Sequence, residues 1–138
     1  ANGNRTNGIK MSMFDISDMN NPKELFSIKV GGNYTDSEVT YNHKALYFSK
    51  EKNLIGFPVI DYDGVNEYKA QLYDIDLESG FKLRGEVEHK SEKNDDKLLY
   101  KNKILRILSV GDVLYSVSEN QVKASNISSL EQINRLFF

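Results

Sequence analysis

The sequence contains no cysteine and no tryptophan, and only two prolines and nine glycines in 138 residues. The missing thiols exclude disulfides, thiolate zinc sites and cysteine nucleophiles, but they leave the compartment open, because an exported protein that dispenses with disulfides has the same composition. The scarcity of proline and glycine excludes collagen-like and mucin-like chains, and 39% hydrophobic with 28% charged residues is the composition of a folded domain. There is no excess of one charge: eighteen Lys plus Arg stand against twenty Asp plus Glu, a net charge of −2. Without a basic stripe to displace counterions from a phosphate backbone, nucleic acid is not expected as a partner. Long apolar runs are also lacking. None approaches the roughly 18 to 20 residues that cross a bilayer, and no basic-then-apolar leader opens the chain, so no membrane span is expected in this piece. The first residue is Ala1 rather than Met, so a processed or excised piece of about one domain is expected.

What is present are short segments rich in Val, Ile, Tyr and Phe, separated by Asn, Gly, Asp and Lys clusters at the spacing of an all-β fold. The clearest unit spans 104–126, where apolar runs at 104–110 and 113–118 flank Gly111-Asp112, the signal for a two-residue type II′ hairpin; Glu119-Asn120 then turns into a run at 121–127. Upstream, 44–49 and 54–60 flank a four-residue connection, Lys50-Glu51-Lys52-Asn53, and runs at 70–76 and 81–88 flank Glu78-Ser79-Gly80. Pro58 cannot donate to a ladder, so its strand is bulged there or has one unpaired edge. Ala45, Leu46, Tyr47 and Phe48, like Ile104, Leu105, Ile107 and Leu108, read as inner strands covered on both faces. The alternation at 81–88 puts Leu83, Gly85 and Val87 on one face and Lys82, Arg84, Glu86 and Glu88 on the other, as in a solvated outer strand protected by charge.

Internal repetition sets the architecture. Met13-Phe14-Asp15-Ile16-Ser17, Leu72-Tyr73-Asp74-Ile75-Asp76 and Ala124-Ser125-Asn126-Ile127-Ser128 share an Asp or Asn, then Ile, then Ser or Asp, about 50 to 60 residues apart. The short polar side chain is expected to cap its own turn, and the central Ile to pack between sheets. Four strands in about 50 residues make one blade, so the chain reads as a partial β-propeller of about two and a half four-stranded antiparallel blades. Residues 1–7 are expected to be a flexible leader, 8–30 the outer strands of one blade, 40–89 a full blade and 98–138 another, with 91–97 as a polar link. Two and a half blades do not close a ring of typically 4 to 8. Either the chain is the C-terminal part of a longer propeller, which is the favoured reading, or copies of it associate to cover the ends. The remaining blades, or other copies, are the first expected partners.

Several stretches resemble the bacterial secreted β-propeller domain family, which is distantly WD40-like. They are Gly8-Ile9-Lys10-Met11-Ser12-Met13-Phe14-Asp15-Ile16-Ser17-Asp18 with Asn21-Pro22-Lys23-Glu24, His43-Lys44-Ala45-Leu46-Tyr47-Phe48, Lys50-Glu51-Lys52-Asn53-Leu54-Ile55 with Pro58-Val59, Gly80-Phe81-Lys82-Leu83-Arg84-Gly85, and Gly111-Asp112-Val113-Leu114-Tyr115-Ser116-Val117-Ser118. Where the family pattern has an acidic residue before the His, this chain has Asn42, so no carboxylate role is carried over there. The resemblance is to the C-terminal portion of that domain. It implies an extracellular or cell-envelope-attached bacterial protein, and it brings no catalytic motif.

Candidate chemistry is sparse. His43 and His89 are the only imidazoles, available as base or metal ligand beside a carboxylate such as Asp36 or Glu38. The simpler expectation is a His43 that satisfies backbone at a strand entry and a His89 solvated at a blade exit. No Gly-x-Ser-x-Gly elbow positions a serine nucleophile. Asp61, Asp63, Asn66 and Glu67 around Gly64 are a calcium candidate by oxygen content, although the spacing is not an EF-hand and an Asp-Gly turn explains the same residues. Asn94-Asp95-Asp96 is a poorer one. Gly31-Gly32 opens no dinucleotide fingerprint, and no cofactor is expected. Tyr34, Tyr41, Tyr62, Tyr68 and Tyr100 fall in or near connections, where they either form a contact surface for protein or glycan or, the preferred expectation, pack between blades. The function expected from these residues is a non-enzymatic binding or assembly module. The alternative is an accessory propeller piece of a secreted hydrolase or oxidoreductase whose active site lies in missing blades or another domain.

Overall fold

The computed structural model describes residues 8–62, 67–90 and 96–138. The expected leader, the turn at Asp63-Gly64 and most of the 91–97 link lie outside the described residues. Three antiparallel sheets follow one another along the chain. β1 (Ile9–Asp15) and β2 (Lys23–Val30) form the first. In the middle sheet β3 (Thr35–Asp36) and β4 (Tyr47–Ser49) share one edge of β5 (Leu54–Asp61), which pairs on its other side with β6 (Glu67–Asp76) and through it with β7 (Gly80–Glu88). β8 (Arg106–Val110), β9 (Val113–Val117), β10 (Gln121–Asn126) and β11 (Gln132–Phe137) form the last sheet, a four-stranded meander. Short 3₁₀ turns at Glu38–Thr40, His43–Ala45 and Asp96–Asn102 fill the connections on one side of the strands. The architecture is the all-β, partial propeller expected from the repeats.

The middle sheet is packed on both faces, which explains why β5 is a nearly continuous apolar run rather than an alternating one. Ile55, Phe57, Val59 and Tyr73 face the first sheet, meeting Ile9, Met11, Ile28 and Val30. The Phe57 and Tyr73 rings stack there, 5.9 Å apart and 11° from parallel. Leu54, Ala70, Leu72 and Val87 face the last sheet, where Ile104, Ile107, Leu114 and Ile127 complete a second core. Polar staples bridge the same seam: the Tyr47 and Ser109 hydroxyls share a bond of 2.9 Å, Lys52 reaches Asp112 at 3.3 Å, and Arg84, held by Asp74, donates to the Ile127 carbonyl at 3.0 Å.

Pro58 has a local explanation. β3 covers β5 at Ile60 and Asp61, β4 covers it from Leu54 to Gly56, and Pro58 falls in the gap between them. Its carbonyl accepts the Ser37 hydroxyl from that gap, and since N and O of one residue point to the same side of an antiparallel strand, the missing N–H would have met no ladder partner. The edge is unpaired at this residue and the strand continues regularly, with Pro58 opposite Ala70 on β6.

The turns follow the sequence signals. Gly111 at φ 56° closes the two-residue β8–β9 hairpin between Val110 and Val113, and Asp112 has negative φ, as type II′ requires. Asn126 accepts from the Ser128 and Ser129 amides at 2.9 and 3.1 Å, and Asp15 from the Ser17 amide at 2.8 Å. In the middle copy β6 runs two residues further, so Asp76 caps the turn with Glu78 and Ser79 while Asp74 holds Arg84. Two copies are superposable in their hydrogen bonding. The amides of Ile75 and Ile127 donate to the carbonyls of Asn53 and Asp112, the last residues of the first hairpin loop in each sheet, at 2.8 and 2.9 Å.

Three expectations are corrected. Leu46, Phe48 and Leu108 are exposed, because Ala45 lies in a 3₁₀ turn and because the outer face of the last sheet has no described neighbour. Leu83 and Val87 do not share a face: a bulge places both Arg84 and Gly85 opposite Leu72, shifting the alternation so that Val87 is buried and Leu83 exposed. The repeat isoleucines also differ, with Ile127 buried in the seam and Ile16 exposed.

Candidate functional site

The connections that lead from β2 through β3 to β4 are tied down by short polar side chains. Thr35 Oγ1 accepts the Gly32 amide at 2.9 Å, closing the turn after β2. Ser37 caps the Glu38–Thr40 turn by accepting the Val39 amide, and Asn42 caps the His43–Ala45 turn by accepting the Lys44 amide, both at 3.2 Å. The Tyr62 amide donates to the Tyr34 carbonyl at 3.0 Å, fixing the start of the β5–β6 loop against the segment leading into β3. From the far side of the seam, Lys103 extends to Glu38, 2.7 Å away, and the Lys103 amide bonds the Tyr100 carbonyl at 3.1 Å.

This scaffold presents tyrosines to solvent. Tyr34, Tyr41, Tyr62 and Tyr100 are 52%, 74%, 47% and 57% exposed, whereas Tyr68 is 7% exposed and belongs to the interior. The packing expected for all five therefore holds only for Tyr68, the one that stands within a paired strand. The electrostatics show how closely the groups are set. Partial burial, followed by the negative charge of Asp36, pushes the Tyr62 phenol above its ordinary range, with Lys103 opposing. Burial alone would lower Lys103, but its bond to Glu38 and the charges of Glu38, Tyr62 and Asp36 outweigh that and raise it. The arrangement offers aromatic surface around the Glu38–Lys103 ion pair. The Glu38–Lys103 pair had no signal in the sequence, since its members lie far apart and are joined only by the packing of the last sheet on the middle one.

The two histidines exchange their expected environments. His43 is exposed in its 3₁₀ turn, and His89, expected on the surface, is 3% exposed. His89 Nε2 lies 2.8 Å from Ser116 Oγ. This serine–histidine contact is not a nucleophile and its base: Ser116 is buried, and His89 Nδ1 has no partner to orient the ring. Of the calcium candidates, Asp61 and Glu67 face each other across the β5–β6 ladder, and Glu67 takes the Lys69 ammonium at 3.3 Å; Asp63 and Asn66 lie outside the described residues. Among the described residues, no three His, Cys, Asp or Glu side chains are grouped to hold a metal ion.

At the opposite end of the strands, an open groove of about 510 Å³ runs between the β4–β5 and β6–β7 turns, floored by Phe48, Ile75 and Leu77. Of its two carboxylates, Asp76 and Glu78, Asp76 is committed to the turn: the Ser79 side chain, then the Ser79 and Glu78 amides, hold it below the usual carboxylate range.

A family model described as a beta propeller domain matches residues 1–130. No curated protein and no solved structure matches the chain.

Proposed function

Because the chain belongs to the beta propeller domain family, we propose that it is a non-enzymatic binding or assembly module that engages a protein segment through its tyrosine-rich end. The observation that carries this reading is the set of four exposed tyrosines around Glu38 and Lys103. Tyrosine supplies large, stiff, amphipathic contact area at low entropic cost, and the exposed short polar residues Asn33 and Thr40 beside it supply adaptable hydrogen bonds. That mixture favours a polypeptide partner over a glycan. The same proposal places the protein outside the cell or attached to the bacterial envelope, on the strength of the stretches between Gly8 and Ser118 that resemble the secreted propeller family.

The test is site-specific photo-crosslinking in the native host, with the probe at Tyr41 or Tyr62 and, as control, at Lys10 on the outer face of the first sheet. One protein adduct formed only from the tyrosine positions, and lost on Tyr34→Ser, is the expected result. Equal labelling from all three positions overturns the reading, and a glycan adduct in place of a protein redirects it to carbohydrate.

A further inference from the structure

His89 stands where the middle sheet hands over to the last. It follows β7, and its amide donates to the Tyr68 carbonyl of β6 at 3.3 Å. The ring crosses the seam to Ser116 on β9. Polar contacts surround it on the same seam: Lys123 of β10 donates to the Glu88 carbonyl at 3.2 Å, and Gln121 donates to the Lys90 carbonyl at 3.3 Å and to Asn102 at 3.0 Å. The charged groups that act on the imidazole from the elements packed against it are Lys123 of β10 and Arg135 of β11. Its own segment adds Glu88 and Lys90, whose side chains pair with each other at 3.0 Å. Among the described residues no carboxylate acts on the ring, and Nδ1 is buried without a partner.

We propose that His89 is an acid-released latch between the middle and last sheets: the neutral imidazole closes the seam on Ser116, and protonation opens it. An imidazolium here would be buried next to two cations with, among the described residues, no anion to receive its second N–H, and exposing the ring relieves both effects. Burial first, then the charges of Lys123 and Arg135, push the imidazole down to about 4, against a contact with the Ser116 backbone, which favours the charged form. The sign follows from proton linkage. Between the ordinary histidine range and the folded value, only the opened or unfolded chain takes up the proton, so stability is full at neutral pH and is lost as pH falls through that window. From pH 7 to pH 4 the ratio of closed to opened protein is expected to fall by on the order of 100-fold from this one group.

The experiment is amide hydrogen exchange of the full chain at pH 7, 5.5 and 4.5, corrected for intrinsic rates, together with His89→Gln, which keeps a donor toward Ser116 but does not titrate. Exchange in β8 to β11 should rise with acid in the wild type and stay level in the variant. In parallel, the imidazole of His89 is titrated by NMR in a His43→Asn background, which leaves one histidine signal and does not depend on His89→Gln folding. A ring that stays neutral until about pH 4 supports the latch; a midpoint near the ordinary histidine value, or an equal acid response in His89→Gln, overturns it.

Discussion

Tyrosine 41 and tyrosine 68 have the same side chain and opposite fates, and the difference is a matter of which backbone carries them. Tyr41 ends a 3₁₀ turn in solvent, while Tyr68 stands opposite Ile60 in the β5–β6 ladder. Tyr68→Ala is therefore expected to cost about 3–5 kcal/mol, and Tyr41→Ala to change stability by no more than about 0.5 kcal/mol, both measured by urea denaturation at neutral pH. If Tyr41→Ala also unfolds the protein, the exposed-surface reading of the tyrosine end fails. At this scale the sequence was a poor guide. Tyr68 and the exposed tyrosines all sit near turn-forming residues, and His89 follows a strand of alternating charge, so local pattern assigned them by neighbourhood. Their burial was decided by a sheet from another part of the chain.

Elements were far more legible, because hairpins and their turns are written within a few residues of each other. Gly111-Asp112, the four-residue loop before Leu54, and the Asp15-Ile16 and Asn126-Ile127 copies of the repeated signature mark real strand ends. What local pattern missed were the bulge at Arg84 and the passing of the turn cap from Asp74, which holds Arg84, to Asp76. Two substitutions test the turns. Asn126→Ala removes the acceptor of two amide bonds and is expected to cost about 1–2 kcal/mol. Gly80 has φ 84°, and a Cβ on it would lie 2.8 Å from the Phe26 ring of the first sheet. Gly80→Ala is expected to cost about 1–3 kcal/mol of backbone strain in addition to displacing that ring. A thermal midpoint unchanged by Gly80→Ala would mean that the first sheet does not press on the β6–β7 turn.

Over the whole molecule the two ends differ in chemistry. The outer face of the first sheet carries Lys10, Ser12, Ser27 and Lys29, with Lys10 paired to Glu24 at 2.7 Å. The outer face of the last sheet carries Leu108, Val110, Tyr115, Val122 and Leu136, of which Leu108, Val110 and Leu136 are exposed. An apolar face of that kind promotes association. Val110→Lys with Leu136→Lys should reduce concentration-dependent association in light scattering while shifting the unfolding free energy by no more than about 0.5 kcal/mol. Association that is unchanged by these two charges would have to arise elsewhere on the surface. Composition and repeats sufficed to infer sheets in series, but they had no means of showing which outer face would be polar, because that depends on strand register.

The double burial of the middle sheet has a consequence for how the chain comes apart. β5 has no face that can be solvated without separating it from both neighbours, so losing β5 means losing both cores at once. Nearly all strand pairs join segments adjacent in sequence, which keeps loop closure cheap and lets each hairpin form early. The outer sheets can thus open one at a time while the centre persists, as in other stacked arrays where each unit touches only its neighbours. Amide exchange in β5 and β6 should accordingly report the global unfolding free energy, and exchange in β1 and β11 a smaller, local one.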